Sequence, residues 1–185
     1  MRTFDELESL WAEITPPPRD AGTVQALCVR REHGIHDSPH EITLTPAGGI
    51  DGDLWHRIAA EDAEHEYQVT LMNATVAELV AAGLHPIQEA GDNLYVDFDI
   101  GQENLPAGSR VRIGEVTLEV SETPHTGCSK FARRFGQDAL RWVNWRHHRE
   151  RRLRGVNCRI IEGGTVRVGD PMERVSAPDR IPEAR

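Results

Sequence analysis

Arg110-Val111-Arg112-Ile113-Gly114-Glu115-Val116-Thr117-Leu118-Glu119-Val120 holds two short β-type runs joined by a turn that contains glycine. Glycine supplies the positive φ that two-residue hairpin turns require, so this stretch predicts a β-hairpin. Similar runs lie on either side, at residues 94–98 and 158–161. The last is expected to pair with residues 165–168 across Glu162-Gly163-Gly164-Thr165. Further upstream, residues 22–30 alternate: Val24, Ala26, Cys28 and Arg30 would share one side, and Thr23, Gln25, Leu27 and Val29 the other. Many short strands with few helices predict a mainly β fold, a closed or nearly closed barrel with a few peripheral α-helices. Closure also removes sheet edges.

The helices stand outside this pattern. Thr3 and Glu6 form a capping-box pair before Phe4, Leu7, Leu10 and Trp11, which fall on one face, and Pro16-Pro17-Pro18 ends the segment. Asn73 can cap a helix over residues 74–82 that stops at Gly83. Residues 129–153 have helical spacing, and their arginine-rich part reads as one exposed helix. On it Trp142 and Trp145 sit three apart and would anchor it to the barrel or to another subunit of a homodimer. The organisation expected is an N-terminal helix and Pro-rich linker (residues 1–20), a barrel domain (21–176) and a tail (177–185).

With 185 residues, 38% of them hydrophobic, the chain is long enough for a real core. A formal charge of −9 disfavours nucleic-acid binding, although seven arginines lie between Arg141 and Arg159. No apolar run approaches the ~20 residues of a membrane span and no secretory segment follows Met1, so a cytoplasmic location is expected. Cys28, Cys128 and Cys158 are widely spaced, without a CxxC pair, as reduced thiols would be. Cys28 reads as a small core residue. His33, His36, Asp37 and His40 raise a zinc reading, but no HExxH spacing accompanies them.

The chemistry concentrates in Ser121-Glu122-Thr123-Pro124-His125-Thr126-Gly127-Cys128-Ser129-Lys130-Phe131-Ala132-Arg133-Arg134-Phe135-Gly136. A strand enters a Pro/Gly turn and a short helix leaves it, which puts Cys128 at a helix start with Lys130, Arg133 and Arg134 close by. Free backbone N–H groups and cations favour thiolate over thiol. The residues alone leave two readings open, an activated cysteine or a buried one beside a basic helix.

Thr123-Pro124-His125-Thr126-Gly127-Cys128-Ser129-Lys130-Phe131 with Arg134-Phe135-Gly136 resembles the cysteine segment of the MOSC family, especially its small bacterial members. Gly49-Ile50-Asp51-Gly52-Asp53 with His56 and Arg57 resembles the family's Gly-Asp-x-His loop, and Gln68-Val69-Thr70-Leu71 the strand after it. Gly91-Asp92-Asn93-Leu94 resembles its Gly-Glu-Asn-Leu motif. Residues 105–114 and 159–170 match in order, so the resemblance covers about residues 22–175.

The resemblance implies a barrel that binds a molybdopterin-type molybdenum cofactor, with Cys128 as molybdenum ligand. It implies hydrogen bonds to the cofactor from Asn93 and Thr126, and contacts to its anionic parts from Lys130, Arg134 and Arg57. Asn73 and Thr75 occupy places of polar contacts, and Asp53 is a further cofactor-site candidate. His125 and His56 are preferred as proton donors over His65. The implied activity is reduction of N-hydroxylated or related small substrates. Without an iron–sulfur or flavin motif, electrons would come from separate donor proteins. A non-catalytic cofactor carrier or sulfur-transfer module and a metal-free cysteine enzyme are the alternatives. Three departures stand out: Leu54-Trp55 shifts the loop histidine by one, residues 58–64 are acidic and helix-prone, and Gly127 replaces a frequent proline.

Overall fold

The computed structural model describes residues 1–32, 34–55 and 65–175, with backbone only at 65. His33, His56, Arg57, the acidic segment 58–64 and the tail expected at 177–185 lie outside the described residues. The elements run α1 (Phe4–Glu13), β1 (Ala21–Leu27), β2 (Val29–Glu32), β3 (Ile35–Asp37), β4 (Glu41–Thr45), β5 (Gly49–Ile50), β6 (Val69–Asn73), α2 (Ala74–Ala81), β7 (Leu94–Asp97), β8 (Arg110–Ile113) and β9 (Val116–Val120). After these come α3 (Ser129–Phe135), α4 (Gln137–Val143), β10 (Val156–Glu162), β11 (Gly164–Arg167) and β12 (Pro171–Val175).

Seven strands close a barrel in the order β1-β12-β8-β9-β10-β6-β7. The hairpin read from residues 110–120 forms in register, with Ile113 opposite Val116 and Gly114 at φ 57. The pair β6/β7 is parallel, with Leu71 opposite Leu94. A parallel neighbour needs a crossover, and α2 provides it. Asn73 caps that helix, its Oδ1 accepting from the Val76 N–H at 3.2 Å, and the helix ends at Ala82, which takes the left-handed conformation one residue before Gly83.

Two apolar cores share β6 and β7. Leu71, Leu94 and Val96 point into the barrel with Leu118, Val120 and Val156. Met72 and Tyr95 point outward, against Leu7, Val76, Phe131, Phe135 and Trp142 of the helices. Strands buried on both faces lack a solvent-facing polar side, which is why residues 94–96 are continuously apolar and why Thr70, the polar residue within 69–72, is buried and bonded to Asn93. The N-terminal helix is tied into the outer core. Its capping box forms as predicted, and Glu8 Oε1 accepts from Trp142 Nε1 at 2.5 Å and meets His148 Nε2 at 2.5 Å.

Three expectations are corrected. Residues 164–167 do not pair back onto β10: β11 pairs with β4, Val166 opposite Ile42, in a separate three-stranded sheet with β5. The two glycines let the chain leave the barrel, and Gly163 passes so close to Leu44 that a Cβ there would lie 2.5 Å from its carbonyl oxygen. Val24 and Ala26 do not share a side, because a bulge between them turns Val24 into the barrel and Ala26, with Cys28, toward the helices. The arginine-rich segment is not one exposed helix. It breaks at Asn144 into α4 and a 3₁₀ turn over Arg146–Arg151, with Trp142 and His148 buried.

Candidate functional site

Residues 121–128 leave β9 along the start of β10 and are pinned at both ends. Ser121 N–H donates to the Asn157 carbonyl at 2.9 Å, and Asn157 Nδ2 donates to the Thr123 carbonyl at 3.0 Å. At the other end Asn144 clasps Gly127: its Oδ1 accepts from the Gly127 N–H at 2.8 Å and its Nδ2 donates to the Gly127 carbonyl at 3.0 Å. A Cβ at position 127 would lie 2.7 Å from Leu140 Cδ1. Proline there would both clash and remove the donor to Asn144, so this departure from the family pattern has a local cause.

Cys128 is the N-cap of α3 and is exposed, whereas Cys28 and Cys158 are buried. Its partial burial favours the neutral thiol. The backbone N–H groups of Phe131 and Lys130 outweigh that, helped by the charges of Arg154 and Lys130, and hold its pKa below the usual thiol value. Burial pushes Cys28 and Cys158 up to about 12. We therefore expect iodoacetamide at mildly alkaline pH to alkylate Cys128 in the native protein and the other two only after denaturation, as read by peptide mass mapping.

Beneath the cysteine segment lies a buried charge cluster. Asp92 is fully buried and forms an ion pair with Arg154, whose guanidinium also donates to the Ala90 carbonyl at 3.1 Å. The same guanidinium stacks on the Phe131 ring of α3, 5.1 Å from its centroid. His125 Nε2 lies 3.0 Å from the other Asp92 oxygen, in an orientation that falls short of a hydrogen bond. Burial would raise the Asp92 pKa, but Arg154 and His125 hold it below the ordinary carboxylate value. His125 is lowered, by burial first and by Arg154 second, against the pull of Asp92. Gly155 makes the arrangement possible, since at φ 111 a Cβ would lie 2.3 Å from the Leu71 carbonyl oxygen.

A second network braces the neighbouring loop. Asp53 accepts from Arg30 N–H at 2.9 Å, Nε at 3.1 Å and Nη2 at 2.7 Å, from the Trp55 N–H at 2.9 Å, and from Asn93 Nδ2 at 3.1 Å. Asn93 is fully buried; its Oδ1 accepts from the Thr70 N–H and hydroxyl and from Arg30. Both Asp53 and Asn93 have side-chain polar atoms engaged within the protein. Arg134 donates to the Glu89 carbonyl at 2.8 Å, pairs with its carboxylate at 3.0 Å and reaches His36 Nε2 at 3.4 Å. Thr126 and Lys130 are exposed beside Cys128. Asn73 lines a separate cleft with Trp11 and Phe98, and Thr75 is half-buried on α2. Among the described residues no group of three or more His, Cys, Asp or Glu is placed to hold a metal ion.

Sequence reasoning missed Arg30, Asp92 and Arg154. Asp92 lay inside a quoted motif and Arg154 inside the arginine run, but only the fold joins them.

The stability of the fold should depend on pH. Folding lowers the pKa of His36, His125 and His148, chiefly through burial, so the neutral rings stabilise the fold above the ordinary histidine value of about 6.5 and lose that contribution as pH falls. Asp53 and Asp92 are also lowered; their contribution is present above about 3.9 and is lost as pH falls through the folded-state values. The thermal midpoint should be flat between about pH 7 and 8, fall toward pH 5 and fall again below about pH 4. His125→Gln should blunt the first fall. A midpoint that rises on acidification from pH 7 to 5 would contradict this.

A cleft of about 660 Å³ borders the cysteine segment, with His125, Thr126 and Arg154 in its wall. With this geometry in view, the sequence pattern of the MOSC domain matches residues 40–173, and the chain belongs to the MOSC domain family. Among solved structures it is similar to the YuaD protein from Bacillus subtilis, at 18% identity and TM-score 0.59, covering 83% of this chain and 95% of that one. It is also similar to YiiM from Escherichia coli, at 19% identity and TM-score 0.53, covering 83% and 70%. A third is YiiM from Geobacillus stearothermophilus, at 12% identity and TM-score 0.57, covering 84% and 75%. These likenesses establish the shared fold. No functionally curated protein matches the chain. Among the described residues no helix is long and apolar enough to cross a membrane.

Proposed function

We propose that this protein binds a molybdopterin-type molybdenum cofactor through Cys128 and reduces N-hydroxylated small molecules. The observation that carries the proposal is an exposed thiol biased toward thiolate, set over a buried arginine and flanked by Lys130. The donor chemistry fits the group: a soft thiolate suits a sulfur-ligated metal, and cations suit a phosphate-bearing cofactor. Cys128 would be the metal ligand, with Thr126 and Lys130 as the exposed polar groups beside it. When bound, the cofactor supplies a two-electron centre able to accept an oxygen atom.

The chain's own residues do the rest. Asn144 and Asn157 fix the loop so that the sulfur stays at one position. Arg154, locked between Asp92 and Phe131, adds its charge to the backbone N–H groups of Phe131 and Lys130 that lower the Cys128 pKa. His125 lines the cleft with Nε2 facing Asp92; its ring, neutral near pH 7, would take up a proton from solvent transiently and pass it to a bound substrate. Overall, R–NH–OH with two electrons and two protons gives R–NH2 and water. The electrons come from a separate donor protein.

The test is turnover. Protein from a molybdate-fed host able to make the cofactor should convert a hydroxamic acid to its amide with a reduced viologen as donor. His125→Gln should lower kcat more than it changes KM, and Cys128→Ala should abolish turnover. Bound cofactor without turnover in the wild type would instead favour a carrier. Absence of cofactor from the wild type would overturn the proposal.

A further inference from the structure

Resting on the reading of Cys128 as the functional sulfur, we propose that Glu8 of the N-terminal helix is its positioning residue: Glu8 fixes α4, and α4 holds the turn that presents the sulfur. α1 precedes the residues that match the MOSC pattern, 40–173, and packs on α4.

Between α4 and the sulfur the coupling is direct packing. Gly127, the residue before Cys128, lies against the end of α4: a Cβ there would come within 2.7 Å of Leu140 Cδ1 and within 3.3 Å of both Val143 Cγ2 and Asn144 Nδ2. Asn144 also brackets the same residue, accepting from its N–H and donating to its carbonyl. Position 127 therefore cannot move independently of α4. Any shift of that helix carries the Cys128 turn with it.

What holds α4 is outside it. The helix has seven residues, too few to be stable alone, and it breaks at Asn144 before the 3₁₀ turn over Arg146–Arg151. The angle at such a break is set by whatever grips both pieces. Glu8 does so: one carboxylate oxygen takes Trp142 Nε1 from α4 at 2.5 Å and His148 Nε2 from the 3₁₀ turn at 2.5 Å. Trp142 and His148 are both buried, so each of these N–H groups depends on that acceptor, and its charge strengthens both bonds. Phe4 of the same helix adds an edge-on contact to Trp145, with centroids 5.2 Å apart, and lies 5.4 Å beneath the Arg141 guanidinium. Trp142 is two positions from Leu140 and from Asn144, hence on the other side of α4 from the Gly127 contacts. The N-terminal helix grips one side, and the cysteine turn rests on the other.

Amide hydrogen exchange of the isotope-labelled full-length protein, read by NMR, tests this. The Gly127 N–H, bonded to the Asn144 side chain near the surface, exchanges by local opening and reports the clasp, whereas the amides of Leu71 and Leu118 in the barrel report global unfolding. Glu8→Ala should speed Gly127 exchange by about tenfold or more. Glu8→Gln keeps an oxygen acceptor for the two donors and should stay within about threefold of the wild type. Val111→Ala, in the barrel core on β8, should speed exchange at Leu71 and Leu118 and leave Gly127 at the wild-type rate, which separates positioning from a general loss of stability. If Glu8→Ala does not fold, Trp142→Phe, which removes the indole N–H, should speed Gly127 exchange in its place. The proposal is overturned if Gly127 keeps its wild-type rate in whichever of these two variants folds, or if Val111→Ala accelerates it equally. Exchange is measured on protein as purified, so absence of molybdenum would overturn the proposed function and leave this result standing.

Discussion

Arg154→Met should lower the stability of the fold by about 3–5 kcal/mol, a drop in thermal midpoint on the order of 10 °C for a domain of this size. Methionine retains much of the aliphatic packing, so the loss is electrostatic. Asp92 is fully buried and its carboxylate is paired with Arg154 on one side; burial, the first cause of the lowered His125 pKa, persists in the variant and makes that ring a weak replacement counter-ion near pH 7. Removing the guanidinium strands a charge that must be desolvated without compensation or protonated. Asp92→Asn in the same background should therefore recover much of the loss, which a simple packing defect would not allow. The cysteine should report the same change: with one of its favouring charges gone, the pH midpoint of Cys128 alkylation should move up in Arg154→Met. An unchanged midpoint would show that the helix-start amides and Lys130 set the thiol without Arg154.

Asp53→Ala is expected to be comparably severe, at about 3 kcal/mol or more, because five donors converge on that one carboxylate. Arg30 would be left largely buried without its counter-ion, and Asn93 would lose one of the bonds that hold the start of β7 against β2 and the loop at residue 53. Chemical denaturation of the variant measures the cost. Asp53→Asn should fall between the two, since its amide oxygen retains acceptors but not the charge. A loss below about 1 kcal/mol for Asp53→Ala would mean the network is dispensable.

The parts of this molecule that are local in sequence were legible there. The hairpin at residues 110–120 follows from Gly114, the first helix from Thr3 and Glu6, and the crossover helix from Asn73. The cysteine loop was legible for the same reason: the strand, the turn, Cys128 and its basic helix occupy one continuous stretch. Pairings across the chain were not. Nothing in residues 164–167 announces β4 as their partner, some 120 positions away, and a two-glycine link reads most simply as a hairpin. The bulge after Val24 inverted the alternation it interrupts. Arg154 lay in a run of arginines, for which solvent exposure is the ordinary outcome, and its burial depends on Asp92 arriving from 62 residues upstream. Asn93 and Asp53 were read as ligand contacts because the family motifs contain them; their hydrogen bonds within the protein, which join β2, β6 and β7, could not be read from those motifs.

The account depends on the exposed sulfur of Cys128 acting as a metal ligand. The direct measurement is the molybdenum-to-protein ratio, with pterin fluorescence, of wild type and Cys128→Ala purified from the same molybdate-fed host. Because the side chain is exposed, both proteins should fold with the same thermal midpoint. The expected result is stoichiometric molybdenum and pterin in the wild type and neither in the variant. Equal loading of the two proteins, or none in either, would contradict the assignment.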